Sequence, residues 1–269
     1  MPAVRKLLIG LAPALALVVV AAWSTSRTVG AGAGVPGDAA WARAAALVRA
    51  EHAPGDLIVF APRWNEPVGR LHLGDLIPVA TAGRLDGERY GRIWELSIRG
   101  ARAPETRGLT PTWRRAVGGI AVRRFERAPA EVVTDVLALP PPTVTGLAAR
   151  GPALVLAEVG FEPHRCWQVV PSVGQTVTLR WEGVAVGREL VIGVGLADVF
   201  TRRDVRAPVE LVVDVGGREV ARVRAGVDDG WVRTRVATEP GTAALTVTAA
   251  AIGEGARDRL VCFAIEARR

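Results

Sequence analysis

At 269 residues the chain has room for about two domains with substantial cores, and its net charge of +7 comes far more from arginine than from lysine. The arginines alternate with Val, Glu and Asp, and the nearest approaches to a cluster are Arg114-Arg115, Arg123-Arg124 and Arg202-Arg203. With no basic arm, zinc knuckle or helix-turn-helix pattern beside them, they read as solvated strand and helix faces, and composition argues against nucleic acid as a partner.

Arg5 and Lys6 precede the uncharged run Leu7–Ala22, whereas charged residues break every later apolar run. A positive flank ahead of such a stretch is an export signal that sends everything after Trp23 out of the cytoplasm. Val20-Ala21-Ala22 meets the small-residue rule for cleavage, so a cleaved signal peptide and an uncleaved anchor are both open. No cysteine ends the run, which argues against a lipoprotein. Residues 1–23 are thus signal or anchor, and the Gly/Ala/Ser-rich stretch 24–37 is a linker.

Asp38 can cap a helix reaching about Glu51, with Trp41, Ala45, Leu47 and Val48 as its apolar stripe. Pro54-Gly55-Asp56 breaks it. Leu57–Phe60 is a short continuous apolar run, the pattern of a buried strand. Glu66–Pro78 reads as helical or irregular. Arg92–Ile98 is a second strand, with Ile93, Glu95 and Ser97 alternating against Trp94, Leu96 and Ile98, and Ile120–Glu126 is a third. Strands separated by helices predict a small α/β domain over 38–138. Its first βα turn lacks a glycine-rich phosphate fingerprint, and Gly118-Gly119 is a turn. The prolines 140–142 open a stiff spacer over 139–152.

From there the pattern has period two. Eight short strands are predicted close to 161–170, 175–182, 189–195, 208–215, 218–224, 230–238, 242–251 and 258–267, with turn signals at Gly216-Gly217, Asp229-Gly230 and Pro240-Gly241. Eight strands without an intervening helix predict an all-β jelly-roll sandwich over 153–269. Cys166 and Cys262, the only thiols, fit one disulfide in an oxidising space. Parity puts both opposite the most apolar side of their strands, so a bond between first and last strands would clasp the domain. The chain-entropy model gives such a long loop about 4–5 kcal/mol.

Little in the sequence points to catalysis. His52, His72 and His164 lie in different segments with no neighbouring carboxylate arranged to orient them, and G-x-S-x-G and H-E-x-x-H are absent. No catalytic residue, metal or cofactor is assigned. For binding, Arg63, Trp64, Asn65 and Glu66 follow a buried strand and combine a flat ring with directional polar groups, the mixture a sugar asks for. The plain alternative makes Trp64 a core or domain-interface aromatic. Asp198, Arg202, Arg203 and Asp204 share one sandwich loop, and Asp228, Asp229 and Trp231 another. Loops at sandwich ends are common recognition sites. Asp228 and Asp229 could help hold Ca²⁺, but two adjacent acids are weak evidence for it, and a solvated turn is the favoured reading.

Residues 55–64, 92–100 and 119–126 together resemble the soluble extracytoplasmic tail of mannosyltransferase-like bacterial membrane glycosyltransferases, which take sugars from polyprenyl-phosphate donors. His164-Arg-Cys166-Trp, Gly195–Asp198, Gly230-Trp231 and Cys262-Phe263 look like a galactose-binding-type jelly roll. The resemblance implies an accessory part without the catalytic membrane bundle, since one apolar segment stands where those enzymes have many. The expectation is a non-catalytic, extracytoplasmic envelope protein, secreted or held by its N-terminal helix, whose partner is an envelope glycan or a membrane protein. The competing expectation is an enzyme or accessory subunit of envelope glycan metabolism with a site between the domains. A third makes both domains spacers in an assembly.

Overall fold

A computed structural model of the chain describes residues 2–33, 35–197, 207–253 and 259–269, with the side chains of the first helix described from Pro13 to Gly30. That helix, α1, runs Pro2–Ala33. Leu15, Leu17, Val18, Val19 and Val20 are each more than half exposed along it. Among the described residues no helix is long and apolar enough to cross a membrane. The side chains of Arg5, Lys6 and the start of the apolar run lie outside the described set. Ser24–Ala33, expected as linker, continues the helix.

The rest divides into two compact units: one of residues up to Asp75 together with Arg92–Glu126, the other of Leu76–Gly91 with Arg127–Arg269. The first holds a four-stranded sheet of β1 (Leu57–Ala61), β2 (Arg92–Ile98), β3 (Trp113–Val117) and β4 (Ile120–Glu126), in the order β1-β2-β4-β3. β1 runs parallel to β2 and the remaining pairs are antiparallel. Helix α2 (Asp38–Glu51) buries Ala40, Trp41, Ala44, Ala45 and Val48, and Trp41 meets Phe60 of β1 with ring centroids 6.3 Å apart. Helix α3 (Glu66–Leu73) lies so close to the same ring that a Cβ on Gly69 would fall 1.9 Å from Phe60 Cε1, so only glycine fits there. Asp56 ties the turn before β1 to β2 by accepting from Arg92 Nε (2.8 Å), Trp94 Nε1 (2.9 Å) and Ala53 N (3.0 Å).

β1, β2 and β4 match the sequence expectation, but the polar face of β2 is not solvated. Glu95 is fully buried and accepts from Ala103 N (2.8 Å), Thr106 Oγ1 and Arg123 Nη1 (2.7 Å), so the segment after β2 folds back over that face. β3 escaped the sequence reading because it is an edge strand whose arginines are exposed, leaving no apolar alternation to detect.

The second unit is a sandwich. Its first four elements are α4 (Val79–Ala82), β5 (Val132–Asp135), β6 (Thr143–Gly146) and β7 (Ala148–Val159). Then come β8 (Glu162–Pro171), β9 (Thr176–Val186), β10 (Glu189–Leu196), β11 (Val209–Val215), β12 (Arg218–Ala225), β13 (Val232–Ala237), β14 (Gly241–Ala251) and β15 (Val261–Arg268). One sheet has the order β13-β10-β15-β8-β7, with β5 also on β15; the other has β12-β11-β14-β9-β6. The last eight strands are the eight read from the sequence, and their order is that of a jelly roll, with the Gly216-Gly217 hairpin joining β11 to β12. The core interleaves Trp167, Val169, Ile192, Val194, Phe263 and Ile265 of one sheet with Leu179, Trp181, Leu211, Val213, Val223 and Val247 of the other.

Two sequence expectations need correction. The stretch 139–152 is not a spacer: β6 pairs with β9, β7 pairs with β8, and Trp181 Nε1 donates to Pro140 O at 3.0 Å. Prolines break strand periodicity without preventing the chain from packing beside a sheet edge. Nor does the first unit keep all of 38–138. Leu76–Gly91 and Arg127–Ala138 belong to the sandwich, where β5 pairs with the last strand.

Candidate functional site

The residues after β1 end up doing four different things. Asn65 is buried, and among the described residues nothing bonds its Nδ2. Glu66 accepts from Arg70, one helical turn on, and Arg63 lies 3.9 Å from Glu105. Trp64 presents its ring outward, 60% exposed, with the Arg99 guanidinium 6.0 Å from its ring centre. The sequence placed these four around one ligand; the short 3-10 turn at Arg63–Asn65 buries Asn65 and leaves Arg63 and Trp64 exposed.

In the sandwich, Asp229 is a turn residue, its Oδ2 accepting from Gly226 N at 2.7 Å. Trp231 is an inward prop on the outer face of the six-stranded sheet. It lies on Gly193, where a Cβ would come within 2.4 Å of Trp231 Cζ2, and it stacks on His164 with centroids 4.2 Å apart. Asp198, Arg202, Arg203 and Asp204 lie outside the described residues.

What Trp231 props is a hairpin. β8 pairs with β15 only over Val261↔Val169 to Phe263↔Trp167, and β5 takes the same edge of β15 further along. The β7–β8 hairpin therefore leaves the edge and lies over the sheet face. Val159 reaches Gly195 of β10, and Gly160 abuts Gly230, with a Cβ on Gly160 falling 2.8 Å from Gly230 Cα. The Cys166–Cys262 disulfide joins this hairpin to β15 with its Cα atoms 5.5 Å apart. Both cysteines lie opposite the main core, as parity predicted, yet both are fully buried beside Val159. The bond joins the first and last of the eight strands read from the sequence, as expected, and it also pins the folded-over hairpin.

At the hairpin tip Gly160 and Phe161 have φ of 59° and 68°, the left-handed pair of a tight two-residue turn. Glycine takes that conformation freely; a bulky L-residue there costs about 1–2 kcal/mol. Phe161 is nonetheless 68% exposed. The sequence reading put it inside a strand and missed it. The signal was Gly160 standing between two alternating runs, which marks a turn.

Leu76–Gly91 straps the same sheet face. Leu85 packs on Val191 and Ala264, and Arg165 N donates to Gly83 O at 2.8 Å. Arg268 is almost wholly buried; it donates to Asp86 (2.9 and 3.1 Å) and to Glu266 (2.9 Å). Arg268 and the equally buried Arg259 correct the view of the arginines as solvated, which does hold for Arg222 and Arg224 beside Glu210. Burial, the largest single influence, would raise the Asp86 carboxyl, but the Arg268 hydrogen bond, the Glu88 amide and the charges of Arg268 and Arg233 together outweigh it and leave it lowered. At Glu266 burial wins and the carboxyl is raised.

No family model matches this chain, and no curated protein matches it. Among solved structures it is similar to the tandem CBM51 modules of a family 98 glycoside hydrolase from Streptococcus pneumoniae, at 10% identity, 56% of each chain and a TM-score of 0.36. It is also similar to a CBM51 from Clostridium perfringens in complex with methyl-galactose, at 13% identity, 49% of this chain, 99% of that one and a TM-score of 0.33. A third is the C-terminal CBM6 of a Zobellia galactanivorans laminarinase, at 11%, 46% of this chain, 99% of that one and 0.28. The chain thus spans about half the length of the first of these. All are carbohydrate-binding β-sandwich modules; the resemblance to mannosyltransferase-like tails finds no support among them. The jelly-roll assignment stands on the strand order given above.

One histidine corrects the sequence reading. His72 Nε2 lies 3.2 Å from Asp38 Oδ1, and His164 Nε2 lies 3.9 Å from Glu162. A carboxylate is thus placed to orient His72, while Glu162 lies beyond hydrogen-bond reach of His164. Among the described residues no three His, Cys, Asp or Glu side chains gather as a metal site.

Proposed function

We propose that this is a non-catalytic protein of the bacterial cell envelope, held by α1, whose sandwich binds glycan at the end where the β7–β8 tip meets the Asp228–Trp231 loop. The observation carrying the binding reading is Phe161: an exposed aromatic ring kept in a backbone conformation it disfavours, on a tip pinned by a disulfide and braced by the Trp231–His164 stack. Local strain that the surroundings enforce points to use. A phenyl face accepts the apolar side of a sugar ring, and Glu162 and Asp228, on the same tip and loop, offer hydroxyl acceptors.

Two features support the location. The disulfide needs an oxidising compartment. A helix apolar on all sides with its side chains uncovered is suited to lipid rather than water, as at Leu15–Val20. Full-length protein in detergent micelles, passed over immobilised envelope polysaccharides, is expected to be retained, and Phe161→Ala to be released. Failure of the parent to bind any of them removes the glycan reading.

A further inference from the structure

α3 and the 3-10 turn before it present an inward and an outward row of residues. One faces inward: Asn65, Gly69 and Leu73 are buried at helical spacing. The other faces out: Trp64, Pro67, Val68 and Leu71, at i, i+3, i+4 and i+7, are all exposed, Leu71 to 83%. A soluble helix packed on a core normally turns polar residues to water on that side. Here the outward row is apolar, headed by an indole, and the exposed Arg63 and Arg99 sit at its Trp64 end. Tryptophan, aliphatic side chains and arginine together are the composition of a face that lies in a membrane interface.

On the anchored reading the chain also brings this unit to a membrane. Between the apolar run and α2 at Asp38 lie helix residues 24–33, about 15 Å long, and four further residues that add at most about 14 Å, a tether of about 30 Å at most. Wherever α1 enters a bilayer, the unit bearing α3 stays at its surface. The geometry points to the Trp64–Pro67–Val68–Leu71 face as a membrane-docking surface, seated among acyl chains and headgroups with Arg63 and Arg99 paired to anionic phosphates. It rests on the anchored reading above only for its tether; the face itself is an independent observation.

The test uses the full chain with Leu71→Cys carrying an environment-sensitive fluorophore, mixed with vesicles of zwitterionic phospholipid alone or with about a third anionic phospholipid. A second label at Val173→Cys, an exposed position of the sandwich, is the reference. The Leu71 label is expected to shift to the blue and brighten several-fold on anionic vesicles, and less on zwitterionic ones, while the Val173 label stays water-like. Reversing both arginines (Arg63→Glu, Arg99→Glu) should remove the anionic preference. A water-like Leu71 label on both vesicles overturns the inference and leaves the face to a protein partner. An equal shift on both overturns the anionic pairing. Alkaline carbonate extraction of the same vesicles reads α1 separately. Extraction with a shifted Leu71 label sinks the anchor and keeps the docking face; resistance with a water-like label does the reverse.

Discussion

Phe161 occupies a position that glycine would take without cost, which makes its effects on stability and binding separable. Phe161→Gly relieves about 1–2 kcal/mol of left-handed strain and adds back about 0.5–1 kcal/mol of unfolded-state freedom, so its unfolding midpoint should equal or exceed the parent's. Phe161→Ala keeps the strained conformation and should be the less stable of the two. Both should lose polysaccharide retention. If the glycine variant binds as well as the parent, the ring is not the platform. Adjacency alone does not fix how the Arg63–Glu66 set is presented: four residues adjacent in sequence need not share a direction. A 3-10 turn sends Asn65 into the core and Trp64 outward, and periodicity over four residues cannot resolve that.

Hairpin and strap give the next two predictions, because each is an element fixed to a sheet by buried chemistry. Opening the Cys166–Cys262 bond, whose ends are 96 residues apart, frees a long loop in the unfolded chain and should cost about 4–5 kcal/mol. Guanidinium unfolding of Cys166→Ser/Cys262→Ser against the parent measures it; a loss below about 1 kcal/mol would mean the hairpin holds its place without the bond. The strap depends on Arg268. Asp86→Asn leaves that buried guanidinium short of a carboxylate and should cost about 3–5 kcal/mol. The pH sign follows from the lowered Asp86 carboxyl. Its contribution is whole above the unfolded value near ~3.9 and is lost as pH falls through the lower folded value. Glu266, raised by burial, works oppositely: it favours folding below ~4.3, and that share fades as pH rises through the folded value. Urea midpoints between pH 2 and 7 should therefore fall steeply at the acid end in the parent and less steeply in Asp86→Asn. Identical acid limbs would show that Asp86 is not the titrating group.

For the molecule as a whole, legibility tracked periodicity. The eight jelly-roll strands, the helix at Asp38–Glu51 and three strands of the small sheet were readable because each carries a regular alternating or helical apolar pattern or, as at Leu57–Ala61, a short continuous apolar run. β5, β6 and β7 were not. Prolines and short lengths hide the first two, while β7 is an edge strand whose residues are mostly exposed. The strap was invisible for another reason: Leu85, Asp86 and Glu88 find their partners about 180 residues away, and no local pattern encodes that. A physical cut at the proline run would accordingly sever the jelly roll from part of itself. The polypeptide from Leu139 onward should be poorly soluble alone, its Val191–Ala264 surface bare and Arg268 deprived of Asp86. A synthetic peptide spanning Leu76–Gly91, supplied in trans, would be the natural complement to restore it.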